Sequence, residues 1–247
     1  MVKKFVETIR MEIAKMDRTM KGIFHPHWKD FGLCRSLGFT HVEVALGIGY
    51  QTYSELTYAL EKCREAGLNA FINPGFDRNA EEAMNFLRMA PINENDIIFL
   101  CDEPNDRKIP RSQIAQWADL VEKEKSIPFF TKTMITLTAS KPWEYANLTD
   151  IVSVDYYRDY KKLDLFLLGL KMCFLRHIHH GKVFGIPGVK GSPAFLWEQY
   201  KFWKKCQVDG ILWYSWTPDQ EQPPWFPKSL DQLPEIAETL KLINAEP

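Results

Sequence analysis

Ile97-Ile98-Phe99-Leu100-Cys101 runs straight into Asp102-Glu103-Pro104-Asn105, so two adjacent carboxylates sit at the end of an apolar stretch. Such a run, bounded by turn residues, reads as a strand buried on both faces. Burial and each other's charge push one of the two carboxyls toward holding its proton, the state a general acid needs. The competing reading is an Asp-Glu that merely caps the next helix. A third carboxyl, Asp155, ends a similar run, Ile151-Val152-Ser153-Val154. It is a candidate base or charge stabiliser, and its alternative is a structural pair with a Lys or Arg.

These residues need a scaffold that brings strand ends together. Along the chain, short apolar β-rich runs alternate with amphipathic helical patterns, the signature of parallel βα units. After an amphipathic helix over about residues 2–17, strand one is Gly22-Ile23-Phe24, followed by a helix through Trp28–Leu37 that stops at Gly38. Strand two is Thr40–Leu46; a helix over Tyr53–Ala66 stops at Gly67, and strand three is Asn69–Asn73. Residues 80–90 are helical, strand four is the Asp-Glu strand, and Ser112 is expected to cap a helix reaching Lys125. Strand five is placed at Pro128–Thr133, strand six at Ile151–Tyr156, a helix at Leu163–His179 and strand seven at Val183–Ile186. Ser192-Pro193 opens a helix to Cys206, strand eight is Gly210–Ser215, and Leu230–Ile243 closes the ring.

About eight strand-helix units in 247 residues is the expectation for an α/β fold: a (β/α)8 TIM barrel, with an extra N-terminal helix, forming one domain over residues 1–247. The alternative is a doubly wound open sheet. That fold wants a Gly-rich phosphate turn after strand one, whereas His25-Pro26-His27-Trp28 follows it.

In a barrel the carboxyl ends of the strands form the active face. The expected tips are His25 and His27, Glu43 (mid-strand), Asn73, Asp102 with Glu103, Lys132 or Thr133, Asp155 with Tyr156 and Tyr157, Gly188 with Lys190, and Trp213, Trp216 and Asp219. Acids, amides, imidazoles and aromatics converging on one face look like a polyol or saccharide site. Aromatic residues make up 13% of the chain, with eight Trp, and several cluster where loops belong. Their flat apolar faces suit stacking on sugar rings, although core filling accounts for many of them.

Asp102-Glu103-Pro104-Asn105, Asp150-Ile151-Val152-Ser153-Val154-Asp155-Tyr156-Tyr157 and Gly210-Ile211-Leu212-Trp213-Tyr214-Ser215-Trp216 together resemble the glycoside-hydrolase-type TIM barrels. The Glu-Pro of strand four is similar to the Asn-Glu-Pro of the clan that includes the cellulases and β-galactosidases, where the Glu is the acid/base. It is closer still to hydrolase-like barrels carrying Asp-Glu-Pro there. The resemblance implies a glycosidase acting on an oligo- or polysaccharide, with Glu103 as proton donor, Asp155 as base or charge stabiliser, and Asp102 orienting Glu103 or the substrate. Tyr156, Trp213 and Trp216 would shape the sugar site, with His25, His27 and Asn73 as hydrogen-bonding candidates. Chemistry of this type needs no metal or organic cofactor.

The chain departs from that clan in strand seven, where the clan holds its nucleophilic Glu. No carboxylate occurs from Lys182 until Glu198. Two arrangements survive. In one, Glu103 is the acid and Asp155 the base, two strands apart, which is roughly 9–10 Å between backbones and near the carboxyl separation of inverting enzymes. In the other, Asp102 orients a substrate acetamido group while Glu103 protonates the leaving oxygen, resembling the hexosaminidases. That arrangement requires a bulge, since neighbours on a strand point to opposite sides.

Other readings compete. The missing strand-seven Glu also fits a non-catalytic carbohydrate-binding barrel. Gly188-Val189-Lys190-Gly191-Ser192 before a helix could cradle a phosphate, as in a phosphosugar isomerase or aldolase, but Trp216-Thr217-Pro218 would crowd it. His25-x-His27 with Asp219 resembles the start of an amidohydrolase metal set, yet strands five and six lack the histidines to complete it. His177-x-His179-His180 suits the negative end of a helix.

A net charge of −1 with acids and bases interspersed asks for neither nucleic acid nor an anionic membrane. The apolar runs are too short to span a bilayer, no signal peptide is visible, and five scattered cysteines favour reduced thiols. The expected setting is therefore cytoplasmic, with a carbohydrate partner.

Overall fold

The β-rich runs pair in sequence order into a closed parallel barrel, with helices packed outside it. The computed structural model describes residues 20–128, 131–156, 162–189, 192–214 and 233–246. The eight barrel strands are β1 (Lys21–Phe24), β2 (His41–Leu46), β3 (Asn69–Asn73), β4 (Ile97–Asp102), β5 (Lys132–Thr138), β6 (Ile151–Asp155), β7 (Lys182–Ile186) and β8 (Gly210–Tyr214). Each is hydrogen-bonded to the next, and β8 pairs with β1 to close the ring. A two-residue strand, Gly49–Tyr50, extends the edge of β2. The helices are α1 (Phe31–Ser36), α2 (Tyr53–Glu65), α3 (Ala80–Met89), α4 (Arg111–Lys123), α5 (Lys162–Ile178), α6 (Pro193–Lys205) and α7 (Pro234–Ala245). Between β5 and β6 the described residues form only a 3-10 turn, Pro142–Tyr145.

Period-two alternation splits the apolar residues into two cores. Phe24, Phe71, Ile97, Phe99, Met134, Ile151, Phe184, Ile186 and Leu212 fill the barrel, while the opposite strand faces pack against the helices. Gly22 is a close-approach position: a Cβ there would lie 2.5 Å from the Phe71 ring, which occupies the axis. Gly185 does the same on the outside, where Trp203 of α6 lies against β7.

Local signals set most boundaries. Thr52 and Glu55 form a capping box at the start of α2, and Ser192 accepts a hydrogen bond from the Phe195 N–H at the start of α6. Ser112 does not cap α4: it lies within the helix, whose first turn follows Pro110. The helix expected from Trp28 begins with a 3-10 turn over Trp28–Asp30, and β6 ends at Asp155 rather than Tyr156. The larger correction is β5, which ends at Thr138 rather than Thr133. Lys132 pairs with Ile97 at the foot of β4, so Lys132 and Thr133 lie at the end of the barrel opposite the expected active face. The stretch Met134-Ile135-Thr136-Leu137-Thr138, rich in β-branched residues and buried on both faces in its middle, carries the strand past Thr133. The expected helix over residues 2–17, and Tyr157, Lys190, Trp216 and Asp219, lie outside the described residues.

The amino-terminal end of the barrel carries a repeated device. The residue before each even-numbered strand accepts a backbone N–H from the odd-numbered strand beside it. Thr40 Oγ1 takes the N–H of Lys21 at 3.0 Å, Asp96 that of Ala70 at 2.8 Å, Asp150 that of Thr133 at 2.8 Å, and Asp209 that of Val183 at 2.9 Å. Four side chains thus close ladder positions that would otherwise be left open.

Candidate active site

At the other end of the barrel, the Asp-Glu strand does something regular alternation would not allow. Between Phe99 and Cys101 the register with β5 slips by one residue. Phe99 faces the axis opposite Met134, and after the bulge Asp102 faces it opposite Thr136. Glu103 then adopts a left-handed backbone, φ +48°, a conformation few non-glycine residues hold. The turn that follows fixes it. The Glu103 carbonyl accepts the N–H groups of Asp106 and Arg107 at 3.1 and 3.0 Å, and its own N–H donates to Thr136 O at 2.9 Å. Asn105 clamps the tip of β5, accepting from the Thr138 N–H at 3.1 Å and donating to Thr138 Oγ1 at 2.9 Å. The bulge therefore brings both carboxylates to the mouth, and the capping reading for Asp102-Glu103 is not what the structure presents.

Glu103 and Asp155 line one cavity of about 470 Å³, together with Asp106, Thr138, Tyr156, Asp164, Leu168 and Lys171. Asp155 ends β6 beside Thr138 and Ile186 and is 7% exposed. Lys171 closes the cavity from α5, its ammonium donating to the carbonyls of Ala139 and Ser140 at 2.6 and 3.0 Å.

Beside this cavity, the barrel axis carries a second group of charges. Glu43 of β2, next to Phe71 in register, points inward and is 2% exposed. Its Oε2 lies 2.8 Å from Nδ1 of His25. His25 also has a left-handed backbone, φ +59°, and the edge of its ring contact with Tyr214 spans 4.9 Å between centroids. Burial opposes a charge on His25, but Glu43 and Asp102 outweigh it and raise the imidazole above its usual range. Burial, reinforced by the charges of Glu103 and Glu43, pushes the Asp102 carboxyl up to about 7 against the pull of His25 and Arg107. One of the two adjacent acids thus holds its proton near neutrality, and it is Asp102. Burial and the four carboxylates Glu43, Asp102, Asp155 and Glu103 push the Tyr214 phenol up as well. Arg107 itself is held by Asp77 at 2.5 Å.

The remaining expected site residues divide. Asn73 ends β3 on the inward face, its Oδ1 accepting the Gly75 N–H at 3.2 Å. Tyr156 reaches the cavity. His27 stays outside the cluster; its Nδ1 accepts the Lys29 N–H at 3.3 Å and its ring stacks near Tyr50. Trp213 is 1% exposed and faces the helices beside Ile23, so the structure does not bring it to the mouth. The inward aromatic of β8 is Tyr214, next to Phe24. Tyr214 lies two places past the inward Leu212, and Glu43 alternates with Val42 and Val44, a signal that can be used once the structure fixes the facing of one residue on each strand. His179 has a structural place after α5: buried at 4% exposure, it accepts the Asn147 N–H at 3.1 Å, and burial lowers its pKa, which disfavours the cation that the helix-dipole reading called for. Among the described residues, no cluster of three or more His, Cys, Asp or Glu has the arrangement of a metal site, and no helix is long and apolar enough to cross a membrane.

No family model matches the sequence, and no curated protein matches it. Solved structures do match in fold. A GH113 β-1,4-mannanase is 12% identical with a TM-score of 0.64, covering 93% of this chain and 99% of its own. A GH113 β-mannanase from Alicyclobacillus acidocaldarius is 13% identical with a TM-score of 0.57, covering 92% and 97%. A ligand-free mutant tryptophan synthase from M. tuberculosis matches as well, at 12% identity and a TM-score of 0.62, covering 95% of each chain. At such identities these likenesses establish the barrel fold and nothing finer.

Proposed function

We propose that the protein is a glycoside hydrolase working by carboxylate acid/base catalysis, with Glu103 as proton donor and Asp155 as base or charge stabiliser. The observation that carries this reading is that Glu103 and Asp155, from strands two apart, line one cavity at the carboxyl mouth. Paired carboxyls facing a shared cavity are the minimum apparatus for protonating a glycosidic oxygen while activating water on the other side. The neighbouring Asp102 carboxyl is pushed up to about 7 by burial and by the charges of Glu103 and Glu43, and is assigned to orient Glu103 or the substrate. Tyr156, which lines the cavity, is assigned to contact a sugar, and the likeness to mannanase barrels makes β-1,4-mannan the first polysaccharide to try.

A second reading, a sugar-binding barrel without turnover, is favoured by one observation. The end of β7 and the described residues after it, Ile186-Pro187-Gly188-Val189, supply no carboxylate. Wild type and Glu103→Gln should be screened against β-1,4-mannan and a panel of aryl glycosides, reading both product and thermal shift. Turnover by wild type alone, with binding kept in the variant, establishes the glycosidase, and the anomer released identifies the mechanism. Stabilisation of both proteins without product establishes the binding module instead.

A further inference from the structure

We propose that Asn105 is a positioning residue for the candidate acid: its side-chain amide pins the Glu103 turn to Thr138 of β5, whose ladder partner on the other side is Asp155, and so fixes Glu103 at its working distance from Asp155. The assignment rests on the glycosidase reading above for its reaction, and on the hydrogen bonds at the tip of β5 for its geometry.

β4 ends before β5 does. Its ladder reaches Asp102, opposite Thr136, and the Glu103 N–H then donates to the Thr136 carbonyl at 2.9 Å. Beyond that bond the chain turns away with Glu103 at φ +48°, and a left-handed residue of this kind persists only where its surroundings enforce it. Asn105 brings the chain back to the same strand. Its Oδ1 accepts the Thr138 N–H at 3.1 Å, and its Nδ2 donates to the Thr138 carbonyl at 3.2 Å and hydroxyl at 2.9 Å. One amide thus bonds both backbone groups of one residue, as the peptide of a neighbouring strand would. Glu103 is bracketed between two attachments to β5, at Thr136 and at Thr138. The other edge of β5 carries the second acid. Thr136 lies in register with Ser153 and Thr138 with Asp155, and the Thr136 and Ser153 hydroxyls lie 2.9 Å apart. β5 is therefore the spacer between Glu103 and Asp155, and Asn105 ties the turn of the acid to it. Thr138 and Ser140, whose hydroxyl lies 3.4 Å from Nδ2, also line the cavity that the two carboxyls share. Tyr145 steadies the turn as well, donating to the Pro104 carbonyl at 3.2 Å, but it comes from the 3-10 turn rather than from the strand beside Asp155.

The test compares wild type, Asn105→Ala and Asn105→Asp by amide hydrogen exchange, and by kcat and KM on whichever glycoside the screen identifies and on its dinitrophenyl analogue. In Asn105→Ala the Thr138 and Glu103 amides should exchange about tenfold faster or more, because one has lost its acceptor and the other sits in a turn set loose. On the glycoside kcat should fall about 10²-fold, the effect of moving a reacting group by about 1 Å, with KM changed less than about threefold. The dinitrophenyl analogue should lose less than about threefold, since its leaving group departs without the proton that Glu103 supplies. A general loosening of the fold would slow both substrates alike. Asn105→Asp keeps the acceptor for the Thr138 N–H but not the donor, so its Thr138 amide should stay protected and its loss of kcat should be smaller. Unchanged exchange at Glu103 in Asn105→Ala overturns the proposal, as does an equal loss of rate on the two substrates. Should Asn105→Ala fail to fold, Asn105→Asp decides: exchange at Glu103 must still rise, and the glycoside must lose more rate than its analogue. The exchange measurement needs no substrate, so a wild type without turnover would fail the glycosidase reading while exchange at Glu103 still decides whether Asn105 holds the turn.

Discussion

The two ends of the barrel treat their carboxylates in opposite ways. At the amino-terminal end, Asp96 accepts the N–H groups of Ala70 and Asn93 at 2.8 and 2.9 Å and pairs with Arg64. Asp150 takes both the N–H and the hydroxyl of Thr133, and Asp209 the N–H of Val183 beside Arg176. Each acid there is surrounded by donors and closes a gap in the sheet. At the carboxyl end, burial and the charges of Glu103 and Glu43 raise the Asp102 carboxyl, and burial with the charges of Glu43, Asp102, Asp155 and Glu103 raises the Tyr214 phenol. Two of the non-glycine residues with left-handed backbones, His25 and Glu103, belong to this same mouth. One end uses charge to hold the fold; the other crowds like charges at a structural cost, as sites of chemistry do.

Substitutions at the two ends should therefore separate activity from stability. The largest effect is expected at the mouth: Glu103→Gln should lower kcat by about 10²–10⁴-fold, as measured by initial rates, with the melting temperature little changed. At the base, Asp96→Ala should cost about 3 kcal/mol of unfolding free energy in urea titrations by stranding two backbone N–H groups and Arg64, while kcat per folded molecule holds. An Asp96→Ala enzyme that keeps its stability but loses turnover would erase the contrast.

Asp102→Asn probes the cost of crowding. The folded protein keeps the Asp102 proton up to about pH 7, whereas an unfolded chain releases it near the ordinary carboxylate value. The native state thus binds the extra proton in that window, and wild-type stability falls as pH rises through it. The Asn variant should be about 1–2 kcal/mol more stable than wild type at pH 8 and gain almost nothing at pH 4, read from melts at both pH values. A gain of equal size at both would mean that Asp102 is not the group carrying the charge cost. Smallest of all, Lys132→Ala, at the foot of β5, should change stability by less than about 0.5 kcal/mol and leave kcat untouched.

Much of this was legible in the residues. Alternating apolar runs with Gly and Ser-Pro stops predicted the strand order and many of the boundaries among the described residues, because local propensity and burial agree there. The Asp-Glu strand and Asp155 announced themselves as carboxylates ending buried strands, a pattern that needs no partner to be read. Where two neighbouring stretches both favoured a strand, as around Pro128–Thr138, the sequence reading took the first, Pro128–Thr133, and was wrong. Pairing with β4 decided for the second, since a strand's register is set by the ladder it joins.

Composition and spacing by themselves determined that this chain forms a parallel βα barrel and which strands end in acids. Only the tertiary structure decided which side chains face the axis. A one-residue slip in β4 turned Asp102 inward, alternation from Leu212 put Tyr214 at the mouth and Trp213 in the outer core, and closure of β1 against β2 set His25 beside Glu43. Strand order follows from local signals summed along the chain, but facing depends on register, and register exists only between strands already paired.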